Sequence, residues 1–130
     1  MHKHLHPEGW APAKGYANGI VAKGTPIFLA GQIGWNANCE FETDVFAGQV
    51  HQALTNIVVL LNEAGARPEH LVRLTWFVTD KQEYLADLKG VGAAYREVIG
   101  RNFPTMSVVE VTALVEDRAK VEIEATAVLP

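Results

Sequence analysis

Residues Val121 to Val128 alternate without a break. Val121, Ile123, Ala125 and Ala127 fall on one side, and Glu122, Glu124 and Thr126 on the other. A period of two with one apolar row is the signature of a strand lying on a core that another element covers. A second alternating stretch, His70 to Asp80, places Val72, Leu74, Trp76 and Val78 on one row, but its other row holds Phe77. Apolar residues on both rows describe a strand covered twice. A chain with such strands and helical stretches between them is limited to a layered α/β arrangement.

The helical stretches are plain. In "TDVFAGQVHQALTNIVVLLNEAGA", Phe46, Val50, Ala53, Leu54, Ile57, Leu61 and Ala64 recur at spacings of three and four, making one apolar face. Thr43 or Asp44 is placed to cap it, and Gly65 stands where a left-handed residue closes a helix. His51, between core positions, reads as structural. "QEYLADLKGVGAAYREVIG" is the second helical stretch, stopped by Gly100.

Before the first helix, Ile20–Lys23 and Pro26–Ile33 are β-rich runs, expected to pair as a hairpin through Gly24 and Thr25. Gly31 and Gly34 mark a bulge or a close approach of backbone or ligand. Trp35 to Thr43 is a loop. Strand Met106–Leu114 then precedes the final one, giving β-β-α-β-α-β-β. The expected fold is an α/β (α+β) domain, a mixed sheet with two helices on one face. Phe77, with the Val109 and Val111 side of its neighbour, is too apolar for water, which predicts an oligomer.

Composition narrows the function. The 130 residues, 48% of them hydrophobic, suit one domain over 1–130, with 1–14 expected as a flexible tail. The net charge is −4 and the eleven Lys and Arg are scattered, so no nucleic-acid partner is expected. Cys39 is the only cysteine, which rules out an intramolecular disulfide and fits a cytoplasmic setting. It reads as a loop thiol. His2, His4 and His6 read as part of the tail, and no metal is assigned. The N-terminus lacks the apolar segment of a signal peptide, and no apolar run reaches the roughly 18 residues a membrane span needs.

"GQIG" after a strand, "QALTNIVVLLNEAG" on a helix, "FVTD" closing a strand, and "FPTMSVVEVTALVEDRAKVEIEATAV" together resemble the Rid family, also called the YjgF family, from about Tyr16 to Val128. The resemblance implies a chorismate-mutase-like fold and a homotrimer whose sheets form a central barrel, with a small-molecule cleft at each subunit interface. It also implies hydrolysis of imines and enamines released by pyridoxal-phosphate enzymes, with no cofactor of its own. Tyr16 in "GYANG" matches the tyrosine lining the cleft, and Gly31 in "AGQIG" the glycine whose backbone meets the substrate. Glu122 in "KVEIEA" matches the acid that orients water.

Other positions depart from the pattern. Ala30 stands where many members have serine, and Gly92 in "KGVGAAY" where the deaminases often have asparagine. Met106 in "FPTMSVVEV" occupies the place of the arginine that grips the substrate carboxylate. A thioether offers none of that contact's paired hydrogen bonds. The resemblance therefore points to a hydrolase whose substrate is held differently. The alternative is a non-catalytic binding module, with RNA cleavage further behind. Chorismate mutase activity would need several cations in the cleft, which the chain does not visibly supply. Without the resemblance, Glu122 reads as a solvated strand residue paired with Lys120 or Arg118, and Tyr16 as a packed aromatic. Met106 has a second reading as core filling a vanished site, and Glu124, with no role implied by the resemblance, is expected at a rim or interface. Arg101 and Lys14 are the candidates to replace the missing cation.

Overall fold

In the computed structural model, which describes residues 2–130, the chain runs β1 (Lys3–Leu5), β2 (Gly19–Val21), β3 (Thr25–Ile33), α1 (Phe46–Glu63), β4 (Leu71–Val78), α2 (Lys81–Ala86), α3 (Leu88–Val98), β5 (Thr105–Glu110) and β6 (Val121–Leu129). Four strands form a mixed sheet in the order β3-β6-β4-β5. β6 is antiparallel to both its neighbours, while β4 and β5 run parallel. The alternating stretch is thus an inner strand, as a row of fully covered small and branched side chains requires. Leu54, Ile57 and Leu61 of α1, Leu74 of β4 and Ile123 of β6 are all completely buried. Each contributes about 1.5–3 kcal/mol by leaving water.

Glycine closes α1 as its sequence predicts. Gly65 has φ 73°, and the N–H groups of Gly65 and Ala66 donate to Asn62 and Leu61 carbonyls at 3.0 and 2.8 Å. Gly100, at φ 78°, follows α3 in the same conformation. The N-terminus of α1 differs, because its cap is Val45, which donates from its own N–H to Thr43 Oγ1 at 3.0 Å.

The expected hairpin does not form. β2 pairs with β1, and β3 pairs with β6 instead. Gly24, at φ 146°, is pressed against the Leu129 carbonyl, so the chain there passes onto the edge of the main sheet rather than reversing. The N-terminal segment is accordingly drawn into the fold through β1. Ala17 docks further along, its N–H donating to the Pro104 carbonyl at 3.0 Å.

Three other boundaries move. The second helical stretch breaks at Asp87, whose carboxylate accepts from Gly90 N at 3.0 Å and restarts the chain as α3. β5 ends at Glu110, earlier than the alternation implied, because β4 ends opposite it at Val78, whose carbonyl accepts the last rung from Val111 N–H. In β4 a register shift between Leu71 and Arg73 puts Leu71, not Val72, among the buried residues with Leu74, Trp76 and Val78.

The second face of the sheet carries Phe28, Phe77, Val109, Glu122 and Glu124. It is left open by this chain, with Phe28 77% exposed and Val109 43%. Among the described residues no helix is long and apolar enough to cross a membrane.

Candidate functional site

The residues singled out from the sequence fall into two groups. Ala30 and Gly31 lie where the β3–β6 register shifts, between Leu29 and Gln32. The bulge turns the bare Gly31 backbone toward the Glu122 side chain: a Cβ at position 31 would stand 2.7 Å from Glu122 Cδ. Any larger residue would displace the carboxylate. Arg118 is held by Asp44 at 2.9 Å and Lys120 by Glu83 at 3.0 Å, so neither is the partner expected for Glu122 without the resemblance. Among the described residues no cation pairs with it. Glu124 lies two residues on along the same face, beside Thr75.

Tyr16, Gly92 and Met106 form the second group, around β5. Met106 is opposite Leu74 on the parallel ladder, so it shares the helix-covered face. There it packs against the core while bordering two cavities. One, of about 700 Å³, brings it together with Tyr16, Arg73, Thr105 and Ser107. The other, of about 370 Å³, brings it together with Gly92. Tyr16 is 43% exposed and reaches this edge because Ala17 is tied to Pro104.

Trp76, Tyr84, Tyr95 and Phe103 wall the smaller cavity. Trp76 and Tyr84 meet edge to face at 6.2 Å, while Tyr95 and Phe103 stack at 5.6 Å with planes 10° apart. Burial pushes the Tyr95 phenol well above its ordinary range, so it stays protonated and donates to the Asn102 carbonyl. Trp76 is 2% exposed, and its indole N–H has no hydrogen-bond partner among the described residues. Arg96 and Lys14 border this cavity, and Arg101 does not. Arg96 went unnoticed in the sequence, although it stands four residues after Gly92 on one helix face, a spacing that brings side chains together.

The two groups cannot meet within one chain. Glu122 pairs with Phe77, which pairs with Val109, and Met106 is three residues before Val109 on β5. That is about 10 Å across the sheet and about 10 Å along it, with the two side chains on opposite faces. Among the described residues no three His, Cys, Asp or Glu side chains come together as metal ligands.

A mixed four-stranded sheet in the order β3-β6-β4-β5, with helices on one face and the other face left open, defines a small α/β domain. The endoribonuclease L-PSP family model matches residues 8–129, and the chain belongs to that family. It is 34% identical to a RutC family protein of Pasteurella multocida, over 98% of both chains. It is 37% identical to the 2-iminobutanoate/2-iminopropanoate deaminase of Escherichia coli, over 87% of this chain and 86% of that one. Its fold is similar to the crystal structure of the Rid family protein YyfB of Yersinia pestis, with a TM-score of 0.88, 30% identity and 98% of both chains covered. The mixed α and β architecture is thus that of the Rid and YjgF proteins.

Proposed function

We propose that this protein hydrolyses an imine or enamine in a cleft shared between subunits of a homotrimer. The observation that carries the proposal is the Glu122 carboxylate lying against the bare backbone of Gly31, with no cation among the described residues paired to it. A substrate resting on that backbone has a base beside it. Glu122 takes a proton from water as the water oxygen bonds to the C=N carbon. The C=N electron pair moves to nitrogen, which takes that proton from Glu122. The new hydroxyl then passes its proton to the nitrogen through the regenerated carboxylate, the C–N bond breaks as the carbonyl forms, and ammonia leaves. The deaminase named for the Escherichia coli relative supports the reaction class, and this chain's Met106 separates the two in substrate.

Assembly follows from the separation of the two groups. If the Gly31–Glu122 edge of one subunit faces the Tyr16–Met106 edge of the next, each cleft is complete only in the oligomer. The open face with Phe28 and Phe77 supplies the apolar contact area. Light scattering at micromolar concentration should give three times the chain mass. A monomer or a stable dimer would count against a shared cleft.

The direct test generates imines in situ with an amino-acid oxidase and follows their loss against the spontaneous rate. The wild-type protein should accelerate hydrolysis of some members of a broad panel, while acting only weakly on 2-iminopropanoate and 2-iminobutanoate. Met106→Arg should raise activity on those two, since it restores a charge-assisted contact typically associated with about 1.5–3 kcal/mol. Wild-type rates on them equal to those of the arginine-bearing relatives would refute the argument from Met106.

A second reading, a binding module without turnover, is favoured by the same Met106. It is supported if no imine is hydrolysed and an apolar ligand occupies the cleft. RNA cleavage has less behind it, because a net charge of −4 with scattered basic residues gives no track for phosphates.

A further inference from the structure

An uncharged Met106 does not leave the helix side of the cleft without a cation. Helical side chains lean toward the N-terminus of their helix, over the residue one turn earlier. Arg96 does this over Gly92: a Cβ at position 92 would lie 3.2 Å from its Nη1. The guanidinium therefore lies over a helix surface that any side chain at 92 would occupy. Among the described residues Arg96 has no ion-pair or hydrogen-bond partner, in contrast to Arg67 and Arg118, whose guanidinium groups are held by Glu69 and Asp44. It borders a cavity whose walls are Trp76, Tyr84, Tyr95 and Phe103 and whose volume is about 370 Å³. Pockets for small organic ligands run from about 300 to 1,000 Å³.

We infer that Arg96 is the residue that grips the ligand, and that the ligand is a carboxylate carrying an aromatic or comparably bulky apolar body. The inference rests on the proposed reaction only in taking the cleft around Gly92 and Met106 as the place where substrate binds. A planar guanidinium with five donors matches a carboxylate, and four aromatic rings match a flat hydrocarbon. Met106 then belongs to the apolar wall, where a flexible thioether packs well on rings. Lys14 also borders this cavity, but a single ammonium lacks the planar fork that Arg96 presents to a carboxylate. Arg73 borders the other cavity beside Met106, which is lined by Thr75, Thr105 and Ser107 and has no aromatic wall beyond Tyr16.

Calorimetric titration of the full chain with 2-oxo acids, the stable oxygen counterparts of 2-imino acids, tests this without turnover. Phenylpyruvate should bind at least about 10-fold more tightly than pyruvate, through the buried ring. The neutral ketone 1-phenylpropan-2-one should bind about 10- to 100-fold more weakly than phenylpyruvate, and Arg96→Gln should impose the same loss on phenylpyruvate. Arg96 is exposed, so the variant should fold, and circular dichroism checks it. Gly92→Asn, which pushes the guanidinium aside, should also weaken binding, whereas Arg73→Gln should leave it within about twofold. The inference fails if phenylpyruvate does not bind, or if Arg96→Gln binds it as well as wild type. It fails equally if the loss appears at Arg73→Gln instead. Binding that depends on Arg96 without hydrolysis of any imine sinks the hydrolase and keeps the grip; hydrolysis with Arg96→Gln unchanged in rate and binding does the reverse.

Discussion

Glu122→Gln should lower imine hydrolysis by about 10²–10⁴-fold, the usual contribution of a positioned general base. The amide keeps the size of the carboxylate and its capacity to accept a hydrogen bond, but it cannot take a proton from water. Stability should hardly change, and the structure says why. Glu122 is half-buried on the open face, and the two cations nearest in sequence are already engaged by Asp44 and Glu83. No charge is orphaned when the carboxylate goes. Glu124→Gln is the matched control, the same change on the same face two residues away, and it should retain most of the rate. Both variants should elute and scatter as wild type does. If Glu122→Gln turns over the best substrate of the panel at the wild-type rate, the carboxylate is not the base and the mechanism above is wrong.

What the sequence revealed of this fold was what faces a core. Periodicity placed α1, β4 and β6 because a buried row imposes its spacing on the residues themselves. It could not see who pairs with whom. The run around Ile20 had strand composition and a turn signal at Gly24, yet its partner is Lys3–Leu5, an exposed stretch with no alternation to reveal it. Asp87 divides the second helical stretch because its carboxylate finds Gly90 N, a contact that competes with the helix only once the backbone turns there. β5 is short because its partner runs out: the alternation continues through Val111, but β4 ends at Val78, opposite Glu110.

The site divides along the same line. Gly31 was legible because a glycine inside a strand needs a reason, and the bulge against Glu122 is that reason. Met106 and Gly92 could be located only by resemblance, and the separation of Met106 from Glu122, two strands across and on the opposite face, is a property of the register alone. Arg96 carried no signal of its own, since an exposed arginine on a helix is ordinary. Its meaning comes from the missing side chain one turn before it.

Gln49→Leu should cost about 2–5 kcal/mol of stability, a large share of the 5–15 kcal/mol typical of a domain. Gln49 is a completely buried polar residue on the apolar face of α1. Its Nε2 donates to the Thr43 and Arg118 carbonyls at 3.2 and 3.0 Å, and its Oε1 accepts from Lys120 N at 2.8 Å. The side chain thereby ties α1 to the segment that enters β6 just before Glu122. Gly34 exists to let it in, since a Cβ there would lie 2.6 Å from Gln49 Cβ. Leucine fills similar space but leaves Arg118 C=O and Lys120 N–H without partners, each at about 1–3 kcal/mol. The melting temperature should fall by about 10 °C or more. Gln52→Leu is the comparison, because among the described residues the Gln52 side chain hydrogen-bonds only Asn56 on its own helix, at 2.9 Å, and should cost under about 1 kcal/mol. Urea melts at one protein concentration separate the two, as stability gained from assembly depends on concentration. Equal midpoints for Gln49→Leu and wild type would mean that the bridge to β6 is not what holds that strand's entry in place.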